Sequence, residues 1–222
     1  MEFIVAVDGP AGSGKGTITK IVGEKENLVY IDTGALYRCV TLSMLRKNVG
    51  LEELEKIQEI LNKINIEFKK QDDQKKVYLN GEDVSKEIRE AAVNKFVSQV
   101  SHVVIVREAI TDLSRKIAQG KQVIMEGRDI GTNVFPNADV KIYLDASTEE
   151  RAKRRQKQNE EKGINIPFEE IVENIRFRDN NDKTSPVAPL KQADDAVYID
   201  SSNMAIEEVV EKVIEIINQK RK

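Results

Sequence analysis

The sequence has one cysteine, Cys39, so no disulfide can form within the chain, which fits a reducing cytoplasm. A surplus of positive charge is also missing. Lys and Arg number 35 against 38 Asp and Glu in 222 residues, which argues against a general binder of nucleic acid or of membrane surfaces. A basic site hidden locally is still compatible with that balance. Long apolar runs are absent. The opening "MEFIVAVDG" carries no basic leader, its apolar run is too short for a signal peptide or a membrane span, and no later segment is longer. There is no internal repeat and no long Pro/Gly/Ser linker. These absences lead us to expect a soluble cytoplasmic protein, a monomer with no dedicated interface helix, built on one core with insertions.

The apolar pattern is that of alternating strands and helices. "FIVAVD" (3–8) is a continuous apolar run ending at a Gly-rich turn, as expected of a central parallel strand buried on both faces. Further strands are expected at 28–32, 121–126, 140–145 and 196–200. Helices are expected from Lys15, over 33–47, 51–64, 91–100 and 103–119, in the charged stretch 147–163, and from Pro167 at a helix N1 position. Ile206, Val209, Val210, Val213 and Ile217 fall on one face of a closing helix. Segments 66–71 and 75–84 alternate loosely between apolar and polar, with turns at 71–76 and at Asn80-Gly81, and predict a small antiparallel hairpin inserted at about 65–90. The fold class expected is α/β, a doubly wound parallel sheet of the P-loop NTPase type. In such sheets ligands sit at the carboxyl ends of the strands. Asp8–Thr17, Asp32–Arg38, Glu126–Asp129 and Asp145 should therefore converge on one edge.

"GPAGSGKGT", Gly9 to Thr17, carries the first chemistry. The stretch Gly9, Pro10, Ala11, Gly12, Ser13, Gly14, Lys15, Gly16, Thr17 contains G-x-x-x-x-G-K. The glycines let backbone N–H groups turn inward around an anion, the following helix N-terminus adds partial positive charge, and Lys15 would reach the β- and γ-phosphates of a nucleotide. A dinucleotide fingerprint is disfavoured, because G-x-G-x-x-G from Gly12 would need glycine at Thr17. The Ser or Thr that normally follows the lysine, as a magnesium ligand, is displaced by Gly16. This form, with Thr after Lys-Gly, resembles the P-loop of nucleoside monophosphate kinases, in which the acceptor is itself a phosphate. Two polyanions must meet in line there, and Gly16 leaves room for close backbone approach. Magnesium would then be held by phosphates, waters and more distant carboxylates.

A phosphate acceptor is already an anion near neutral pH and needs no general base. It needs positive charge, and arginine supplies it in bidentate form. Arg38, Arg107, Arg128, Arg151, Arg154, Arg155, Arg176 and Arg178 are available, Arg38 and Arg128 just beyond strand ends. With no base required, His102, the one histidine, is read as structural or as a surface residue, and Cys39 as a packed thiol.

"DTGALYR" (32–38), "SQV" (98–100), "VREAI" (106–110), "EGRDIGTNVFPNADVKIYLDAS" (126–147) and "RDNND…VAPLKQADDA" (178–196) resemble the bacterial cytidylate kinases over nearly the whole chain. The resemblance implies an ATP:(d)CMP phosphotransferase. Its five-stranded sheet would be formed by 1–32, 101–146 and 166–222, with a nucleoside-monophosphate-binding insertion at about 33–100 and a short helical lid at 147–165. It further implies that Arg38 and Arg128 hold the CMP phosphate and that Thr33 is a further substrate-binding residue. Ser98, Arg107 and Asp129 would face cytosine, Arg178 and Asp182 the sugar, and Arg151 and Arg155 would close over the ATP phosphates with Lys15. Cytosine offers an N4 donor, which a carboxylate accepts, whereas uracil would oppose Asp129 with a lone pair. Two positions depart from the family. Ser185 stands where an arginine is often found, and Glu126 where some relatives have Asp. Asp8, Asp32 and Glu126 are candidates to order Mg2+ waters, with no dedicated protein metal site expected. The loop Ser201–Asn203 is the candidate for the adenine side. UMP, AMP or a small-alcohol acceptor such as shikimate are the rival substrates. A nucleotide switch without acceptor is the rival class, although "NKFV" (94–97) lacks the Asp of a guanine-reading motif.

Overall fold

The computed structural model describes residues 2–71, 74–161 and 163–221. The turn expected at 71–76 falls partly, and the lid segment by one residue, outside the described residues. Along the chain lie β1 (Phe3–Asp8), α1 (Lys15–Lys25), β2 (Val29–Asp32), α2 (Thr33–Arg46), α3 (Leu54–Lys63), β3 (Ile66–Gln71), β4 (Gln74–Leu79), β5 (Glu82–Asp83), α4 (Ala91–Val100), α5 (Val104–Ala118), β6 (Gln122–Gly127), β7 (Val140–Asp145), α6 (Thr148–Glu160), α7 (Phe168–Thr184), β8 (Val197–Asp200) and α8 (Ile206–Lys220). A π-helical turn, Ile130–Val134, joins β6 to β7. The chain forms two compact units, Thr33–Lys116 and the remainder, Met1–Asp32 with Ile117–Lys222.

The larger unit holds a five-stranded sheet in the order β2-β6-β1-β7-β8, every neighbour parallel. β1 is central because it is apolar on both sides: Val5, Ala6 and Val7 are at most 1% exposed. Ile18 and Val22 of α1 and Val209, Val210, Val213 and Ile217 of α8 pack with Val5, Val7, Ile142 and Leu144. Each such side chain contributes about 1.5–3 kcal/mol on burial. Ile206, expected on that face, is instead half exposed. It is the first residue of α8, ahead of the turns that pack in the core. Pro167 likewise stands one residue before α7, in extended conformation, rather than at N1. The edge strands β2 and β8 have only four residues each, and short edges offer little template for pairing with another chain.

Register explains the site's position. Asp8 lies opposite Gly127 and Tyr143, Asp32 opposite Glu126, and Asp145 opposite Asp200. Four parallel strands thus deliver their last, polar residues to one edge, as the pattern predicts for this unit.

In the unit Thr33–Lys116, β3 pairs antiparallel with β4 from Ile66–Leu79 to Gln71–Gln74, and β5 adds a third strand. Asn80 and Gly81 both have positive φ, 51° and 87°, which is the backbone of a tight hairpin turn whose twist matches the strands it joins.

Candidate active site

The P-loop spans the gap between β1 and α1. Gly14 precedes the first turn of α1 with φ 89°, a left-handed conformation that disfavours any residue with a Cβ. Lys15 is buried and its Nζ donates to the carbonyl of Pro10 at 2.9 Å. Burial, followed by the charge of Arg128, lowers its pKa to about 7, with Glu126 opposing and Arg178 reinforcing the shift.

Glu126, the penultimate residue of β6, is buried beside the loop and accepts a 2.5 Å hydrogen bond from the Tyr30 hydroxyl. Its carboxylate borders Gly16: a Cβ there would stand 2.9 Å from Oε1. Burial and then the charge of Asp32 raise the Glu126 pKa, while Lys15 and the Tyr30 bond act to lower it.

Arg128 and Asp129 follow β6 directly. Arg128 Nε donates to Asp182 Oδ2 of α7 at 2.7 Å. Burial pushes the Asp182 carboxyl up, but the charge and hydrogen bond of Arg128, helped by Arg178, hold it below the usual carboxylate value. Asp129 is buried and accepts from Asn133 Nδ2 at 3.0 Å. Asp8 accepts the backbone N–H groups of Ile130 and Gly131 at 2.8 and 2.7 Å, so both its carboxylate oxygens are engaged in that turn.

Helix α6 begins at Ser147, whose Oγ accepts the Glu150 N–H as an N-cap. One turn on, Arg151 is buried despite its charge. It donates through Nη1 and Nη2 to both oxygens of Asp179, and also to the carbonyls of Ala11 in the P-loop and of Ala146. Arg154, three residues later on the same face, donates to the Ser13 carbonyl of the loop and to the Ser201 carbonyl and hydroxyl. Arg155 is exposed. Asp179 is not among the predicted site residues, and Arg154 figures only among the arginines available to supply positive charge, with no contact assigned to it. The spacing of the arginines held the one available signal: 151, 154 and 155 share a helix face. The Ser201 hydroxyl, at the start of the Ser201–Asn203 loop, lies within donating distance of the Asp145 carbonyl, 2.9 Å, and of the Ser13 carbonyl in the P-loop, 3.3 Å. Ser185 is buried and donates to the Val187 carbonyl, closing the turn after α7 and adding no cation where the family often has one.

The unit Thr33–Lys116 carries the other predicted residues. Thr33 is buried at the start of α2, and Arg38 is partly buried one turn later. Arg107 is buried, with Nε donating to the Ser101 carbonyl at 3.1 Å and its guanidinium 5.5 Å from the Tyr37 ring centre. The Ser98 hydroxyl is buried without a hydrogen-bond partner among the described residues.

A backbone cradle for phosphate with a buried lysine at its rim, and guanidinium groups brought to the same sheet edge, is the equipment of a P-loop kinase. That is the class to which fold and site point. The family model described as "Cytidylate kinase" matches residues 5–219. A cytidylate kinase of Fusobacterium nucleatum is 48% identical over 209 residues, 94% of each chain, and one of Bacillus subtilis is 44% identical over 219 residues, 99% of this chain and 98% of the other. The chain belongs to the cytidylate kinase family. Among solved structures, an uncharacterized protein from Eubacterium ventriosum shares the fold over 98% of this chain and 99% of that one, with a TM-score of 0.52 and 10% identity. Among the described residues no helix is long and apolar enough to cross a membrane, and no three His, Cys, Asp or Glu side chains gather as a metal-binding group.

Proposed function

We propose that the protein transfers the γ-phosphoryl group of ATP to CMP or dCMP, giving ADP and CDP or dCDP. Membership of the cytidylate kinase family supports the reaction, and the observation that carries the assignment of roles is the Arg128–Asp182 pair beside Lys15 and the P-loop. The loop Gly9–Thr17 holds the ATP phosphates through backbone N–H groups, and Lys15 bridges toward the group being transferred. Arg38 and Arg128 position the acceptor phosphate, which attacks without a base because it is already ionised. Arg151 and Arg155 add positive charge from the lid, where Arg151 must exchange Asp179 for phosphate oxygens. Ser98, Arg107 and Asp129 read cytosine, and Arg178 and Asp182 hold the sugar. In this reading 33–100 is the acceptor-binding insertion and 147–165 the lid, and the active form is a cytoplasmic monomer.

Mg2+ fits the donor set as an ion held by phosphate oxygens and waters, with Asp32 and Glu126 as outlying carboxylates. Gly16 offers it no hydroxyl. Bound there, it would neutralise phosphate charge. The protein's own part is to bind both nucleotides, orient them in line and exclude water from the transferring group.

The test is ADP formation from ATP and Mg2+ with CMP, dCMP, UMP or AMP as sole acceptor, beside an Asp129→Ala variant. Strong turnover with CMP or dCMP, near silence without acceptor, and a lost preference for cytosine in the variant are expected. Equal turnover with all four acceptors, or ATP hydrolysis that ignores them, would overturn the assignment.

A further inference from the structure

Asp8 is the last residue of the central strand β1 and is buried. Its two carboxylate oxygens accept two consecutive amides, Ile130 and Gly131, at 2.8 and 2.7 Å. These amides open the π-helical turn Ile130–Val134. Asp129 stands immediately before them, and its own carbonyl accepts the Asn133 and Val134 N–H groups. The backbone of Asp129 is thus held from both sides: by β6, in register with β1, and by the turn that Asp8 grips. Gripping the turn is costly. Burial, helped by the nearby Asp129 charge, raises the Asp8 pKa to about 6 against the lowering effect of both amides and of Lys15. A neutral acceptor would avoid that cost, but a single oxygen facing two adjacent donors leaves one of them badly placed.

We propose that Asp8 is a positioning residue for nucleobase selection: its carboxylate fixes the backbone from which Asp129 meets cytosine, so the preference for CMP over UMP depends on Asp8. The inference rests on the proposed role of Asp129. The two bases differ in a single donor or acceptor at ring position 4, and an error of about 1 Å in the carboxylate that reads it is enough to cost up to ~100-fold. Asp8 itself acts through the turn.

The experiment is Asp8→Asn, which keeps the shape but leaves one oxygen for two amides. Turnover with CMP and with UMP, thermal stability, and amide exchange at Ile130 and Gly131 are measured together, with Asp129→Ala in parallel. We expect the CMP-to-UMP ratio of kcat/KM to fall about tenfold or more, mainly through the KM for CMP, and the two amides to lose protection. A stability loss with an unchanged ratio overturns the proposal, because a structural role alone predicts that result. Protection retained at both amides overturns it as well. If Asp129→Ala loses the preference and Asp8→Asn does not, only this inference fails. If Asp129→Ala keeps the preference, the base-reading assignment fails and takes this inference with it. Should Asp8→Asn not fold, Asp8→Glu is the second variant, because it keeps two acceptor oxygens and both N–H donors but displaces the carboxylate by one methylene. A ratio lowered about threefold is expected there, and an unchanged ratio overturns the proposal.

Discussion

Gly16 and Glu126 share one space: a side chain at position 16 would begin 2.9 Å from the Glu126 carboxylate, which is itself held by Tyr30. The sequence supplies one reason for glycine there, the approach of two phosphates, and the structure supplies a second. Gly16→Ala must displace a buried, hydrogen-bonded carboxylate, and overpacking of this kind costs about 1–3 kcal/mol. Because the displaced groups border the phosphate-binding loop, misplacement of the reacting phosphates should also lower kcat, by about tenfold or more. Shortening the partner with Glu126→Asp in the same chain should recover most of that loss. Steady-state rates of the two variants decide the matter, and full activity of Gly16→Ala alone would show that the contact is unimportant.

Ser98 carries a buried hydroxyl with no hydrogen-bond partner among the described residues. An unsatisfied buried polar group costs stability, so Ser98→Ala should leave the melting temperature unchanged or raise it. If the hydroxyl donates to cytosine, the same variant should raise the KM for CMP about tenfold, the worth of one hydrogen bond, and leave the KM for ATP alone. Thermal melts and both KM values are sufficient. A destabilised variant with normal KM values would make Ser98 a packing residue.

Lys15, with its pKa lowered to about 7 chiefly by burial and by Arg128, is largely neutral at pH 8 and largely charged at pH 6. A polyphosphate beside it favours the charged amine and raises that pKa. Binding of ATP should therefore take up close to one proton per site at pH 8 and much less at pH 6. Calorimetric titrations in buffers of different ionisation enthalpy measure the uptake directly, and Lys15→Met should abolish it. Equal uptake at both pH values would place the proton elsewhere.

Much of the larger unit is legible in local sequence, for identifiable reasons. β1 shows itself because both its faces are buried, which leaves an unbroken apolar run. The turn at Asn80-Gly81 shows itself because positive φ at two residues selects those residue types. What stays hidden depends on partners far apart in the chain. Nothing in the spacing of Arg128 and Asp182, 54 residues apart, says that they pair. Nothing marks Arg154 as the residue that joins the P-loop to Ser201, or Glu126 as the neighbour of Gly16. Such contacts arise only once parallel strands bring their ends together, and periodicity carries no record of them.

The strand order sets a timetable for synthesis. β1 is made well before its neighbours, β6 and β7, and Phe3 finds its partner at Gln122. Three of the parallel sheet's four strand pairings, β2–β6, β1–β6 and β1–β7, bridge a gap that contains the whole unit Thr33–Lys116, which keeps to its own compact set of contacts. Closing so long a loop must precede any reward from pairing, so formation of the sheet should be slow. On the ribosome, an apolar β1 would wait unpaired until β6 had emerged, and would depend for that interval on whatever shields exposed hydrophobic segments in the cell.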